Sequence, residues 1–162
     1  MADEIERKFL VKNPGWRASV TRTRAIKQGY MAVNEQCSVR VRISGQEALL
    51  NIKSSGLDIA RKEYEYAIPL ADAEEMMDQF CGGHKIQKTR YYIDFADHVW
   101  EVDVFEGDNQ GLIVAEVELG SVDEEVLLPS WTGAEVSGDA RYLNNNLASN
   151  PYKKWSATGH TD

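Results

Sequence analysis

A chain of 162 residues, 43% hydrophobic and 27% charged, has the length and composition of one globular domain with a proper core. Its formal net charge of −8 at pH 7 argues against a general binder of nucleic-acid polymers, whose surface must be basic. No apolar run is long enough to span a bilayer, the charged N-terminus is unlike a signal peptide, and two cysteines, Cys37 and Cys81, are too few for a disulfide framework; the expectation is a cytoplasmic protein with free thiols and no membrane partner.

In chain order, residues 2–10 read as a first strand, broken by Asn13, Pro14 and Gly15. Trp16 to about Thr21 suits a short helix. Arg24–Val33, Gln36–Ser44, Glu47–Lys53 and Ala60–Ile68 read as four further strands, with a tight turn at Gly45–Gln46 and a polar loop at 54–59. The period then changes. Leu70, Ala73, Met76, Met77 and Phe80 fall on one helical face, with Asp72 as N-cap, Glu75 completing a capping box and Gly82–Gly83 closing the helix. His84–Asp94 and Val99–Phe105 are strands joined near Ala96–Asp97, and Leu112–Gly120 is the last strong strand. A short helix is expected over Asp123–Leu128 and another over Asp139–Ser149, with Ala140, Leu143 and Leu147 inward. A single domain over 1–150 with a C-terminal tail over 151–162, loose from Lys153, follows. About eight short-connected strands and a few helices make a mainly-β α+β fold, and eight antiparallel strands are enough to close a barrel around one small ligand.

The strands carry charge in rows. Glu4, Glu6 and Lys8 alternate with Ile5, Arg7 and Phe9, so period-two geometry puts them on one face. Arg40 and Arg42 share a face, as do Arg61, Glu63 and Glu65; Lys88 and Arg90; Glu101 and Asp103; Glu116 and Glu118. Lys53 stands alone in an apolar strand. The opposite faces carry Val39/Val41/Ile43, Tyr64/Tyr66, Val102/Val104 and Val117/Leu119. Two readings compete. In one, the apolar faces form the core and the charged faces meet water. In the other, the charged faces line a barrel's lumen and the apolar faces pack outward beneath helices. The second is favoured because the polar faces are almost wholly ionised and the charges come as like-sign pairs, which need an external partner. A lumen with clustered arginine and lysine beside clustered carboxylates describes a site for a polyphosphate and a hard divalent metal.

These residues, taken in order, match a known pattern. Glu4-Ile5-Glu6-Arg7-Lys8 resembles the ExExK signature of the CYTH superfamily, the triphosphate tunnel metalloenzymes. Gln28-Gly29-Tyr30, Arg40-Val41-Arg42, Lys53, Arg61-Lys62-Glu63-Tyr64-Glu65, Lys88-Thr89-Arg90-Tyr91, Glu101-Val102-Asp103-Val104-Phe105 and Ala115-Glu116-Val117-Glu118 resemble its later motifs, and Gly138-Asp139 with Tyr142 and Asn144 its C-terminal helix. The resemblance covers all but the tail and is closest to the compact bacterial members. It implies an eight-stranded antiparallel tunnel and a metal-dependent triphosphatase using Mg²⁺ or Mn²⁺. It implies metal ligation by Glu4, Glu6, Glu116 and Glu118 with Asp103 helping, and phosphate contacts from Lys8, Arg40, Arg42, Lys53, Arg61, Lys88 and Arg90. Glu63 and Glu65 would orient the cations or hold a second metal. Lys8, Glu6 and Arg90 are the expected catalytic group, with Lys8 the candidate to help activate a water. Inorganic triphosphate is the favoured substrate, ahead of nucleoside or thiamine triphosphate. An adenylate cyclase and a non-catalytic polyphosphate-binding module are the alternatives, and a homodimer is an open expectation. No His/Cys spacing suggests zinc.

Overall fold

The architecture follows from the alternation just described, because a strand with one ionised and one apolar face must enclose one of them. The computed structural model describes residues 3–155. Residue 2 of the expected first strand, and the tail from 156 onward, lie outside the described residues. Nine strands form, β1 (Asp3–Val11), β2 (Val20–Val33), β3 (Cys37–Ser44), β4 (Glu47–Ser54), β5 (Ala60–Ala67), β6 (Lys85–Phe95), β7 (His98–Phe105), β8 (Ile113–Glu118) and β9 (Thr132–Glu135), with helix α1 (Leu70–Phe80) and a one-and-a-half-turn helix α2 (Asn144–Ser149). The order β5-β4-β3-β2-β6-β7-β8-β1 closes on itself through β1 and β5, giving an eight-stranded antiparallel barrel. Strand β1 divides its second edge: Asp3, Glu4 and Ile5 pair with β5, whereas Phe9 and Val11 pair with β9.

The apolar faces pack outward, each under its own cover. Phe9, Ile93, Trp100, Val102, Ala115 and Val117 form one cluster beneath Trp16 and Trp131. Trp16 belongs to a short 3-10 helix, Pro14–Ser19, whose first turn is capped by the Asn13 side chain accepting from Gly15 N. Val41 and Ala48 meet Ala73 and Met77 of α1 and its C-cap Cys81. The third cluster lies inside the barrel. Tyr30, Ile86, Phe105 and Val114 sit two residues along the same strand faces as Gln28, Lys88, Asp103 and Glu116, and Tyr142, Leu147 and Trp155 pack into them. One end of the interior is therefore an apolar plug, and the charged portion of the lumen is what remains open.

Local differences from the sequence pattern have identifiable causes. Strand β2 begins at Val20, four residues earlier than expected, because its N-terminal part keeps pairing with β6 up to Val20↔Ile93. The N-cap of α1 is Pro69, with no side-chain cap, and Asp72 lies within the first turn. Asp123–Leu128 is not helical. There Glu124 turns back to accept from Gly120 N and to meet His98 Nε2. The expected helix over 139–149 is split: Leu143 takes an extended conformation (ψ 134°) between a 3-10 turn at Ala140–Tyr142 and α2. At the C-terminal end, Tyr152–Lys154 form a further 3-10 turn and Trp155 is buried against Tyr142, so the expected loose tail is packed at least this far.

Gly29 fixes how closely α1 approaches the barrel. A Cβ built there would lie 2.5 Å from Cys81 Sγ and 2.6 Å from Met77 Sδ. Gly29→Ala is expected to lift α1 from β2 and cost about 1–3 kcal/mol of overpacking strain. Thermal unfolding should show a Tm lower by roughly 3–10 °C; an unchanged Tm would contradict this packing.

Candidate active site

The charged strand faces converge on one cavity of about 320 Å³. Seven glutamates line it, Glu4, Glu6, Glu63, Glu65, Glu101, Glu116 and Glu118, together with eight cations, Lys8, Arg24, Arg40, Arg42, Lys53, Arg61, Lys88 and Arg90. Leu143, Asn144 and Asn145, at the start of α2, form part of its wall next to the plug. The chain as a whole carries −8, so the acidic excess is on the exterior and the lumen is nearly balanced.

Strand register explains who meets whom. Glu6 is opposite Glu118 and Lys8 opposite Glu116 across β1–β8, while Glu116 is opposite Glu101 across β8–β7. Lys8 Nζ reaches Glu116 Oε2 at 3.3 Å and the Tyr142 carbonyl at 3.1 Å. Lys53 Nζ lies 2.6 Å from Glu4 Oε1 and 3.5 Å from Glu6 Oε1, and so stands between two carboxylates that would otherwise repel. Arg40 Nη2 is 3.4 Å from Glu63. Arg90 grips Asp103 with two hydrogen bonds, at 2.8 and 2.9 Å, and reaches Glu101 and Glu116 at 3.4 Å. Lys88, 1% exposed, lies 2.7 Å from Asp103 and donates to Asn144 Oδ1 at 3.1 Å.

Electrostatics divides the carboxylates into two groups. Burial raises the pKa of Asp103 and Glu116, but the cations reverse the sign: Arg90 and Lys88 hold Asp103 below its ordinary value, and Lys8 and Arg90 do the same for Glu116. Glu4, Glu6 and Glu118 are shifted upward, first by burial and then by one another and by Glu63, Glu65 and Glu116. Glu101 is pushed up to about 7 by burial, despite Arg90, with Glu116 and Asp103 adding to the rise. On the basic side, burial lowers Lys88 to about 8, and burial with the neighbouring Arg40 and Arg90 lowers Arg42 to about 10.

The chemistry of the donor set fits a hard divalent cation. Glu4 raises the pKa of Glu6, both raise that of Glu118, and Lys53 is the one lysine ion-paired with Glu4 and Glu6, so a cation with oxygen affinity would relieve them. Among the described residues no three such groups already converge to a coordination distance, because Lys53 occupies the space between Glu4 and Glu6.

Every site residue expected from the sequence except Asp103 lines the cavity. Asp103 is 1% exposed and both its oxygens are engaged by Arg90 and Lys88, behind the wall. Several wall or support residues were not in the expected set: Arg24, Tyr92, Glu101, Asn144, Asn145 and the fully buried Gln28 and Asn51. Glu101 was legible, since it shares a face with Asp103. Gln28 fell within the Gln28-Gly29-Tyr30 motif but with no role assigned, and Asn51 gave no signal, because a lone amide in a strand carries no charge pattern.

The whole-chain comparison agrees with this geometry. Residues 2–152 match the CYTH domain family. An inorganic triphosphatase of Acetivibrio thermocellus is 41% identical over 155 residues, which is 96% of this chain and 99% of that protein. One of Nitrosomonas europaea is 36% identical over 90% of this chain and 96% of its own length. A crystal structure of an inorganic triphosphatase superposes with a TM-score of 0.63 at 32% identity, covering 91% of this chain and 95% of that one.

The raised carboxyls make a prediction for the metal-free protein. A carboxyl whose folded pKa exceeds its unfolded value binds more protons when folded, so its contribution to stability is present below about pH 4.5 and lost as pH rises through about 7. Asp103 and Glu116 act oppositely, but only below the ordinary carboxylate range. Stability in a chelator should therefore fall between pH 5 and pH 7.5. Glu101→Gln should recover about 1–2 kcal/mol of it, a figure discounted because a third of that side chain is exposed. Denaturant melts at the two pH values check this; equal pH dependence in wild type and variant would contradict it.

Proposed function

The chain belongs to the CYTH domain family, and from that membership we propose that it is a metal-dependent hydrolase that cleaves inorganic triphosphate within the barrel. The observation that carries the reading is one lumen cavity whose wall offers Arg40, Arg42, Lys88 and Arg90 together with Glu4, Glu6 and Glu118. The relatives at 41% and 36% identity are named for the same activity. At about 320 Å³, with almost no apolar wall beyond Tyr30, Leu49, Tyr92 and Leu143, the cavity suits a compact polyanion better than a nucleoside.

In this reading Lys8, Arg40, Arg42, Lys53, Arg61, Lys88 and Arg90 bind phosphate oxygens. The arginines do so as planar forks and stabilise charge as it builds on the departing phosphate. Glu4, Glu6, Glu116 and Glu118 hold the divalent cation, Mg²⁺ or Mn²⁺, with Glu63 and Glu65 available for a second or for orienting Arg40. Bound there, the metal supplies Lewis-acid charge to phosphate oxygens. Asp103 orients Lys88 and Arg90 rather than ligating, because both its oxygens are taken. Lys8, fixed by Glu116 and the Tyr142 carbonyl, orients a water or phosphate oxygen at the metal side of the cavity. Both cysteines are free thiols, as suits the reducing cytoplasm where we place the protein. Among the described residues no helix is long and apolar enough to cross a membrane.

The test is phosphate release from inorganic triphosphate with Mg²⁺ or Mn²⁺. Release is expected, and none in either metal would overturn the proposal. Cyclic AMP from ATP as the dominant product would favour the cyclase reading instead. Glu6→Gln should raise the metal concentration for half-maximal activity at least about tenfold, a loss of about 1.4 kcal/mol; an unchanged metal requirement would remove Glu6 from the ligand set.

A further inference from the structure

The cations of the cavity differ in what stands behind them. Lys8, Arg40, Lys53, Lys88 and Arg90 each touch at least one carboxylate. Arg42 is held differently: its Nε donates to Gln28 Oε1 at 2.9 Å, and the described residues place no carboxylate within ion-pair distance of it. Gln28 is fully buried. Its Nε2 donates to Tyr30 Oη at 3.1 Å, and the same hydroxyl oxygen lies 3.5 Å from Arg40 Nη1. The amide orientation is determined by its partner, since a guanidinium N–H needs an acceptor. Direct cross-strand register brings the group together, with Gln28 opposite Arg42 and Tyr30 opposite Arg40.

We propose that Gln28 is a positioning residue that fixes the Arg42 guanidinium through a neutral acceptor, so that this arginine meets the triphosphate with its charge uncancelled. This rests on the triphosphatase reading above. A carboxylate at position 28 would hold the same geometry but neutralise the cation. An apolar side chain would leave the charge but free the fork. Only an uncharged acceptor does both tasks. The depressed basicity of Arg42, caused by burial and by its neighbours Arg40 and Arg90, is what an undercompensated cation shows while no anion is bound.

The experiment is calorimetric binding of inorganic triphosphate to the protein in excess chelator, which needs no turnover. Gln28→Glu and Gln28→Met should each weaken binding at least tenfold. In an Arg42→Met background, Gln28→Met should change affinity less than twofold, because the amide acts through Arg42. In metal-supported hydrolysis the same Gln28 variants should raise KM and lower kcat together, because Arg42 meets both the bound triphosphate and the charge on the departing phosphate. Binding within twofold of wild type for both variants, or an undiminished penalty in the double variant, would overturn the proposal. If Gln28→Met lacks a cooperative melt, Gln28→Glu, which keeps both shape and acceptor, decides alone. A wild type that binds triphosphate without hydrolysing it would refute the proposed activity while leaving this test intact; one that binds none would overturn both.

Discussion

Charges enclosed in a barrel must neutralise each other, and that constraint organises this protein. An ion taken out of water without a partner costs several kcal/mol even after relaxation. Here the enclosed ions are paired in a near-balanced set: Lys53 between Glu4 and Glu6, Lys8 on Glu116, and Arg90 and Lys88 on Asp103. The pairs are not equally settled. Asp103 is saturated and behaves as part of the scaffold, whereas Glu4, Glu6 and Glu118 outnumber the cation among them and Arg42 has only a neutral acceptor. The residual imbalance is negative at one place and positive at another. That arrangement is what a metal and a polyanion would complete.

The same constraint explains the outside of the molecule. Strands that turn their charges inward must turn apolar residues outward, and those faces need covers. Helix α1 covers Val41 and Ala48; Trp16 and Trp131 cover the faces of β6, β7 and β8. The cover over β1 is also structural support, because β9 takes up the part of its edge that β5 does not reach. Inside, the strand faces become apolar toward one end, where Tyr142, Leu147 and Trp155 seal the lumen and present Asn144 to Lys88. The C-terminal segment thus both closes the fold and contributes to the wall of the site.

The strands and the charged lumen were readable because period two is an unambiguous signal when one face is ionised. The row Glu4/Glu6/Lys8 and the pair Arg40/Arg42 fall where alternation puts them. What stayed hidden had no periodic trace. Strand β9, with the sequence Thr-Gly-Ala-Glu, is defined by backbone pairing to β1 rather than by its side chains. Asp123–Leu128 carries helix-forming residues, but Glu124 is drawn to Gly120 and His98. Asp103 shares its face with Glu101 and reads as another ligand; only coordinates reveal that both its oxygens are already committed. Gln28 falls in a motif, but its role stays hidden for the opposite reason, since its importance lies in being uncharged.

If the enclosed ions are one another's counterions, metal and polyanion must bind cooperatively, because a phosphate that draws Lys53 away from Glu4 and Glu6 frees those carboxylates for a cation. The direct measurement is calorimetric titration of an imido-bridged triphosphate analogue, resistant to cleavage, with and without Mg²⁺, together with the reverse titration. The account predicts at least tenfold tighter analogue binding with metal present, and the same factor for metal with analogue present. Independent binding of the two would contradict it.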